Sequence, residues 1–340
     1  MLGSMPPLRD SLADLSVRID GYATERRELA VSKDFTRVTT TVLLHGDDET
    51  GEGEDVTYVA EDHDDFPAAE MLAGTWTLGD LSLRLDAVTL WPHEPKMEAS
   101  VDYRRWAFES AALDLALRQA GSSLADALGR TYRPVRFVAS TRSQIEPYLA
   151  LDPDLEFKLD VEADWDRALM ERLAATGRVR VLDLKAYYRG TSVDLTPDPE
   201  LYRAVVEVFP DVVIEDPWLE DGCREALAGA EERLSFDAPI HSWRDVEKLP
   251  LEPSWLNIKP SRFGTLAGLL ECIEECEERG IQMYGGGQFE LGPGRRQIQR
   301  LASVFYADAP NDVAPSEYND GPAREGLPKS PLPPRDEIGF

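Results

Sequence analysis

The chain has 340 residues, 42% of them hydrophobic and 29% charged, and its formal net charge is −28. This length predicts one large domain and a second, smaller domain. The excess of acidic residues argues against nucleic acid and anionic membranes as binding partners. No apolar stretch approaches the roughly 20 residues of a membrane span, and the first residues lack a signal-peptide pattern, so a cytoplasmic location is expected. Cys223, Cys272 and Cys276 are too few and too irregularly spaced for a disulfide framework or a structural zinc site.

Residues 10–133 predict a small α+β domain. Its expected elements are a β-branched strand over 37–44, a glycine-rich turn over 46–53, a second strand over 56–59 and a helix over 103–128. Gly129 provides a C-terminal stop for that helix, and the composition changes near Pro134.

Residues 134–320 alternate between strand and helix patterns. Strands are predicted at 135–139, 155–159, 179–182, 212–214, 234–236, 255–258 and 281–284, and helices at 165–175, 199–208, 223–232 and 264–279. Regular alternation implies parallel strands with right-handed crossovers, and this many units favour a closed barrel. The proline-rich residues 321–340 predict an extended or partly disordered arm.

Four consecutive strand patterns each end on a charged residue: Asp183, Glu215, Asp237 and Lys259. Because the carboxyl ends of barrel strands meet at one mouth, these side chains are expected to converge. Three carboxylates form an oxygen-rich site suited to Mg²⁺, and a lysine beside them is a candidate base. A single acid at a strand end is usually a helix cap or solvated, but four such residues in consecutive units are hard to obtain by chance.

Several motifs carry a resemblance to a known family. Gly51-Glu-Gly-Glu54 is a G-x-G-E turn, Glu215 lies in Ile-Glu-Asp-Pro, and Lys259 lies in Asn-Ile-Lys-Pro-Ser-Arg-Phe-Gly. Together with Asp183 and Asp237, these motifs resemble the enolase superfamily, in particular its muconate lactonizing and mandelate racemase-like branches. The resemblance implies an α/β fold: a modified (β/α)7β-type TIM barrel with an N-terminal α+β capping domain. It also implies Asp183, Glu215 and Asp237 as Mg²⁺ ligands and Lys259 as a catalytic residue.

The resemblance further implies a reaction class. It is Mg²⁺-assisted removal of a proton α to the carboxylate of a small molecule, followed by elimination or isomerisation, as in a cycloisomerase or dehydratase. Gly285-Gly-Gly-Gln-Phe-Glu290 looks like the family's seventh-strand segment, so Gln288 and Glu290 are candidate substrate-binding residues. His241, four residues after Asp237, is a further candidate, with a loop or capping role as its alternative. A homo-oligomer is compatible with the resemblance, because relatives commonly form symmetric oligomers.

Two segments depart from the family pattern. The usual Lys-x-Lys of the second barrel strand is Lys158-Leu-Asp160, and the usual Asp-x-Asn of the third is Asp183-Leu-Lys185. Since residues two apart face the same side of a strand, we expect Asp160 and Lys185 to pair across the neighbouring strands, and we count Lys158, Lys185 and Asp160 with Lys259 among the catalytic candidates. The three lysines and the four carboxylates Asp160, Asp183, Glu215 and Asp237 have a summed charge of −1 without metal and +1 with Mg²⁺, so the charge balance does not require the metal. The Lys185 ammonium is an alternative occupant of the cation position.

Two other functions stay open at this point. A lyase similar to methylaspartate ammonia-lyase also relies on the sixth-strand lysine, and Tyr284-Gly-Gly-Gly resembles its seventh-strand segment. A non-catalytic barrel that binds an organic anion is favoured by the altered second and third strands. The unbroken series from Asp183 to Lys259 opposes it.

Overall fold

A computed structural model describes residues 7–33, 35–191, 194–319 and 321–340. The N-terminal domain contains strands β1 (Ser16–Ile19), β2 (Gly21–Ala30), β3 (Thr36–Gly46), β4 (Glu49–Asp55) and β5 (Gly74–Thr77), and helices α1 (Leu78–Asp86), α2 (Ser100–Gln119) and α3 (Leu124–Ala127). Strands β2, β3 and β4 form an antiparallel sheet, and β1 pairs with β5 in a second one. Short 3₁₀ turns cover Leu8–Asp10, Ala60–His63 and Ala69–Leu72.

The glycine-rich segment expected as a turn is strand β4, and that expectation is wrong. The turn is confined to Asp47 and Asp48, which have φ values of 52° and 62°. A Cβ on Gly51 would lie 2.2 Å from the carbonyl oxygen of Ala111, and one on Gly53 would lie 2.0 Å from that of Ala107. The glycines are therefore required by the close approach of helix α2 to the strand.

The second domain contains strands β6 (Val138–Thr141), β7 (Glu156–Asp160), β8 (Val179–Asp183), β9 (Val213–Glu215), β10 (Leu234–Phe236), β11 (Trp255–Ile258) and β12 (Gln282–Gly285). The helices are α4 (Glu146–Leu151), α5 (Arg167–Ala175), α6 (Pro199–Val208), α7 (Cys223–Ala226), α8 (Trp243–Glu247), α9 (Pro260–Phe263), α10 (Leu266–Arg279) and α11 (Pro293–Phe305). The seven strands lie side by side in chain order, each parallel to the next.

A short segment bridges the first and last strands of this sheet. The Asp312 amide donates to the Gly285 carbonyl (2.8 Å), and the Val138 amide donates to the Asn311 carbonyl (2.8 Å). Asn311 also forms a parallel bridge with Phe137. The segment thus takes the place of the eighth strand, and the predicted (β/α)7β barrel with an N-terminal capping domain is confirmed.

Two predicted helices are shorter than their apolar spacing indicates. The helix expected over 103–128 is divided into α2 and α3 at Gly121, whose φ is 62°. The helix expected over 223–232 ends at Ala226, and Gly229 follows with a φ of 84°. Both glycines adopt the left-handed conformation that ends a helix.

The two domains and the C-terminal arm (residues 321–340) share one hydrophobic core. Phe340 at the end of the arm is fully buried against Trp106, and its amide donates to Asp114 Oδ1 (2.6 Å). Leu332 pairs with Val135 through two backbone hydrogen bonds. The arm therefore packs against both domains. No helix in the described part of the chain has the length and apolarity needed to cross a membrane.

Candidate active site

The residues at the carboxyl ends of the barrel strands converge as the strand pattern predicts. Asp183 and Glu215 are the last residues of β8 and β9, and Asp237 and Lys259 directly follow β10 and β11. Asp183 is in register with Glu215, so their side chains leave the sheet next to each other. Asp183, Glu215 and Asp237 are almost completely buried. This concentration of buried charge at one end of the barrel is the candidate active site.

The predicted pair of Asp160 and Lys185 is confirmed. Lys185 Nζ lies 3.1 Å from Asp160 Oδ1 and 2.5 Å from Asp183 Oδ2. Lys185 has a φ of 51°, and its side chain reaches back over the ends of the two strands. Burial by itself lowers the pKa of Lys185, but Asp183 and Asp160 outweigh it and hold that pKa well above its ordinary value. Lys185 is therefore a fixed positive charge.

Lys158, rather than Lys185, lies between the expected metal ligands. Its ammonium donates to Glu215 Oε1 and lies 3.4 Å from both Asp183 Oδ2 and Asp312 Oδ2. Burial tends to lower the pKa of Lys158, but these three carboxylates raise it well above the ordinary value. The other oxygen of Glu215 accepts from the hydroxyl of Tyr284 and from Asn257 Nδ2 (3.1 Å).

Lys259 follows β11, four strands along the sheet from β7 with Lys158, and it lies next to Asp237. Lys259 Nζ is 2.8 Å from Asp237 Oδ2, and the same carboxylate is 3.3 Å from Arg262 Nη1 and accepts from the Tyr188 hydroxyl (3.2 Å). Burial raises the pKa of Asp237, but Arg262 and Lys259 outweigh it and lower that pKa to about 2. Asp237 Oδ1 has no hydrogen-bond donor among the described residues.

Asp216 joins the cluster although strand alternation would direct it away from the barrel interior. Its φ of 49° turns the chain, and its carboxylate accepts from the amides of Asp237 (2.8 Å) and Ala238 (3.0 Å). Burial, together with the nearby Asp237 and Asp183, raises the pKa of Asp216 to about 7. Carboxylate oxygens of Asp183, Glu215 and Asp216 lie within 4.8 Å of one another, whereas Asp237 is outside this group.

The donor set and the charge of the cluster fit a divalent cation. Six carboxylates (Asp160, Asp183, Glu215, Asp216, Asp237 and Asp312) face four basic groups (Lys158, Lys185, Lys259 and Arg262), so the formal charge is −2. The sequence-based sum of −1 omitted Asp216, Asp312 and Arg262. Hard carboxylate oxygens suit Mg²⁺, and an oxygen that accepts from one ammonium keeps a second lone pair. Asp183, Glu215 and Asp216 are the residues that would hold the ion.

The three expected substrate-binding residues lie where the barrel meets the capping domain. His241 Nδ1 is 3.1 Å from Asp102 Oδ2 on α2, and Gln288 donates to the Tyr103 hydroxyl (3.2 Å) and accepts from that of Tyr58 (3.2 Å). Glu290 folds back to accept from the Gln288 amide (2.5 Å) and to pair with Arg295 (3.0 Å). Substrate binding by these residues stays a prediction.

Several members of the cluster were not identified from the sequence. Asp216, Asn257 and Arg262 lie within the sequence motifs but had no predicted role, and Tyr188 and Asp312 lie outside those motifs. Strand alternation was a usable signal for Asn257, which lies two residues before Lys259. No local signal marks Asp312, because the segment that carries it contains no regular strand.

Solved structures share this fold, and one of them, from Listeria innocua, is described as a member of the enolase superfamily; it is 19% identical with a TM-score of 0.63, covering 88% of this chain and 86% of that one. A muconate cycloisomerase from Pseudomonas fluorescens is 18% identical with a TM-score of 0.66, and the match covers 95% of each chain. A mandelate racemase/muconate lactonizing protein from Herpetosiphon aurantiacus is 18% identical with a TM-score of 0.69, covering 95% of this chain and 97% of that one. The fold resemblance predicted from the motifs is confirmed.

Curated relatives match a smaller part of the chain. An N-succinylamino acid racemase from Amycolatopsis sp is 29% identical over 229 residues, which are 62% of this chain and 60% of the relative. An o-succinylbenzoate synthase from Bacillus subtilis (strain 168) is 26% identical over 221 residues, 61% of this chain and 58% of the relative. The match thus spans about 60% of the length of these relatives.

Family models cover most of the chain. The N-terminal and C-terminal domain models of the domain of unknown function DUF8230 match residues 10–127 and 131–320. The chain belongs to the DUF8230 family, and its barrel and capping domain give it the fold of the enolase superfamily.

Proposed function

We propose that this protein is an enzyme that removes a proton α to the carboxylate of a small organic acid. Elimination or isomerisation of the resulting intermediate follows, and Lys259 is the base. The observation that carries the proposal is the strand order: Lys259 follows β11, whereas the buried ammonium groups of Lys158 and Lys185 belong to β7 and to the end of β8, four and three strands away. A base on one side and fixed positive charge on the other are what removal of a weakly acidic proton requires.

The surroundings of Asp237 support Lys259 as the base. An amine accepts a proton only in its neutral form, and a lysine that is the sole counter-ion of a buried carboxylate cannot lose its charge without leaving that carboxylate unpaired. Asp237 is paired with Arg262 as well as with Lys259, and it accepts from Tyr188. Arg262 keeps its charge at every relevant pH, so Asp237 stays compensated when Lys259 is neutral.

Lys158 and Lys185 supply electrostatic stabilisation. Removal of the proton places negative charge on the carboxylate oxygens of the substrate, and buried ammonium groups stabilise that charge without reorganisation. A divalent cation held by Asp183, Glu215 and Asp216 would add positive charge at the same place and orient the substrate carboxylate. The names of the two curated relatives denote carboxylate-bearing compounds, which supports this substrate class.

The Asp160–Lys185 pair favours a one-base reaction. Racemisation uses bases on both faces of the carbon. Asp160 occupies the position at which enolase-superfamily members usually carry the second base. Its carboxylate is paired with Lys185 at 3.1 Å. Elimination or isomerisation with Lys259 as the single base is therefore favoured over racemisation.

A second candidate function is a non-catalytic barrel that binds an organic anion. It is favoured by one observation: Lys158 and Lys185 already bind the oxygens of Asp183 and Glu215 that a metal would use. In this alternative, the lysines and Arg262 hold the anion and no proton is transferred.

Hydrogen exchange separates the two candidates. The full chain is incubated in D₂O with Mg²⁺ and a panel of small carboxylates, including N-succinylamino acids, and deuterium at the α-carbon is followed by NMR. We expect exchange with the wild type and none with Lys259→Ala or with Lys259→Arg, which keeps the charge but cannot act as a base. Lys248→Ala is the control, since Lys248 pairs with Asp245 on the surface (3.0 Å).

Two results would contradict the proposal. Exchange that persists in Lys259→Ala would remove Lys259 from the role of base. Saturable binding of a carboxylate without exchange, in the presence and absence of Mg²⁺, would establish the anion-binding alternative.

A further inference from the structure

A cavity separate from the barrel mouth is lined by arginines. It has a volume of about 410 Å³ and lies between helix α11, residues 315–317 and the arm at residues 328–335. Arg295, Arg296, Arg300 and Arg335 line it, and Glu317 is the single carboxylate in its lining. We call it the arginine cavity. Such a concentration of positive charge contrasts with the net charge of −28 of the whole chain.

Helix α11 brings like charges together on one face. Arg296 and Arg300 are four residues apart, a spacing at which like charges destabilise a helix. Each is paired with one carboxylate outside the lining of the cavity, Arg296 with Glu52 (2.9 Å) and Arg300 with the largely exposed Glu337 (3.0 Å). Arg335 has no ion-pair partner among the residues that the structure describes.

Several donor atoms of these arginines have no acceptor in the part of the chain that the structure describes. Only 4% of Arg300 is exposed, and its Nε and Nη1 have no acceptor among the described residues. The same holds for Nε of Arg295, Nε of Arg296 and the hydroxyl of Tyr132, which also lines the cavity. Burial, and then the nearby Arg296, lower the pKa of Arg300. Buried donors of charged groups are costly when they have no acceptor, so this part of helix α11 carries uncompensated positive charge next to the cavity.

A neighbouring cavity provides an internal comparison. It has a volume of about 460 Å³ and is lined by Glu28, Glu290, Glu317 and a single arginine, Arg27. Its size is similar but its charge is the opposite, so an anion would be repelled there and attracted to the arginine cavity.

We propose that the arginine cavity binds a small oxyanion that carries phosphate or carboxylate groups. Guanidinium groups bind both through paired, charge-assisted hydrogen bonds. A volume of about 410 Å³ is in the range of small-molecule sites, so the cavity has room for an organic phosphate or carboxylate as well as for a single inorganic ion.

Calorimetric titration of the full chain tests the proposal. Inorganic phosphate and succinate are titrated separately at an ionic strength fixed with sodium chloride, and the lower dissociation constant distinguishes the phosphate source from the carboxylate source. We expect saturable binding at one site. Arg300→Gln and Arg335→Gln should each weaken it about tenfold, which corresponds to about 1.4 kcal/mol, because each removes hydrogen bonds from a charged donor. The control is Arg203→Gln, an exposed arginine on α6.

The variants differ in their risk to folding. Arg300 is buried, whereas Arg335 is exposed, so Arg335→Gln keeps the test valid if Arg300→Gln does not fold. Absence of saturable binding of either anion to the wild type would overturn the proposal. Binding unchanged in Arg335→Gln but lost in Lys259→Ala would also overturn it, because the anion would then lie at the barrel mouth.

Discussion

Lys185 Nζ lies 3.1 Å from Asp160 Oδ1, and this contact joins the ends of two neighbouring barrel strands. The enolase-superfamily pattern has a lysine at the position of Asp160, on β7, and a neutral amide at the position of Lys185, just after β8. Because the new charges have opposite signs and are adjacent, each compensates the other. The departure from the pattern is therefore one correlated change rather than two independent losses.

The pair predicts a measurable coupling energy. In a double-mutant cycle with Asp160→Asn and Lys185→Met, followed by urea unfolding, we expect a coupling of about 1–3 kcal/mol, since both groups are mostly buried. The control is the pair of Lys96 and Glu61, which are 3.3 Å apart and both largely exposed. Its cycle should give less than about 1 kcal/mol. Equal couplings in the two cycles would mean that burial of the Asp160–Lys185 pair is energetically unimportant.

The sequence was sufficient for the features that depend on strand periodicity. Regular alternation predicted the barrel, and the positions of Asp183 and Glu215 at strand ends predicted their convergence. Features that depend on contacts between distant segments were not predictable in this way. Gly51 and Gly53 were interpreted as a turn because their actual requirement, the approach of helix α2, comes from residues more than 50 positions away.

Asp216 shows why alternation fails at strand ends. It has a positive φ of 49°, which few non-glycine residues adopt, so the period of two no longer determines where its side chain points. The tertiary structure places Asp216 beside Asp183 and Glu215, and it places the Lys158 ammonium, rather than that of Lys185, between those two carboxylates. Their sequence motifs alone do not contain this information.

Removal of the Lys158 ammonium should strengthen the response to Mg²⁺. In Lys158→Met, the carboxylates of Glu215 and Asp183 lose a buried counter-charge, so the unfolding free energy without metal should fall by about 3–5 kcal/mol. Since the same oxygens become available to a cation, Mg²⁺ should raise the melting temperature of this variant more than that of the wild type. Thermal unfolding in Mg²⁺ and in EDTA measures both effects.

The surface lysine Lys248, which pairs with Asp245, provides the control for this comparison. Lys248→Met should respond to Mg²⁺ as the wild type does. If Lys158→Met shows no larger stabilisation by Mg²⁺ than Lys248→Met, then Asp183, Glu215 and Asp216 do not form the cation site.

His63 predicts a loss of stability at mildly acidic pH. Its Nε2 is 2.9 Å from the Thr57 carbonyl, which only accepts, so Nε2 carries the proton and Nδ1 accepts from Thr40 (3.0 Å). Burial is the main cause that lowers the pKa of His63. The unfolded chain therefore binds the proton more readily, and the stabilisation is complete above about pH 6.5 and lost as the pH falls below that value.

Urea unfolding between neutral and mildly acidic pH measures this effect. His63→Gln should show a smaller decrease of the unfolding free energy over this range than the wild type, because the titrating group is gone. His45→Gln, at an exposed position, should keep the wild-type dependence. A pH dependence that His63→Gln leaves intact would assign the effect to other groups.

Glu54 joins the capping domain to the start of helix α11, and its loss should destabilise the whole chain. Glu54 is 1% exposed, and its carboxylate accepts hydrogen bonds from the backbone amides of Leu291 (2.7 Å), Gly292 (2.9 Å) and Gly294 (2.9 Å). Both oxygens are used, one by Leu291 and Gly292 and the other by Gly294. A glutamine has a single acceptor oxygen, so Glu54→Gln must leave at least one of these amides without a partner, and the unfolding free energy should fall by about 1–3 kcal/mol.

Glu52, two residues earlier on the same strand, provides the matched control for Glu54. Its carboxylate is partly exposed and pairs with Arg296 at 2.9 Å, so Glu52→Gln should lower the unfolding free energy by less than about 1 kcal/mol. Urea unfolding of both variants, combined with limited proteolysis of the native proteins, compares the two positions. The residues around Gly292 should be cleaved faster in Glu54→Gln only, because that variant alone releases backbone amides at the start of α11. Equal losses of stability and equal cleavage in the two variants would show that the buried carboxylate of Glu54 does not hold the domains together.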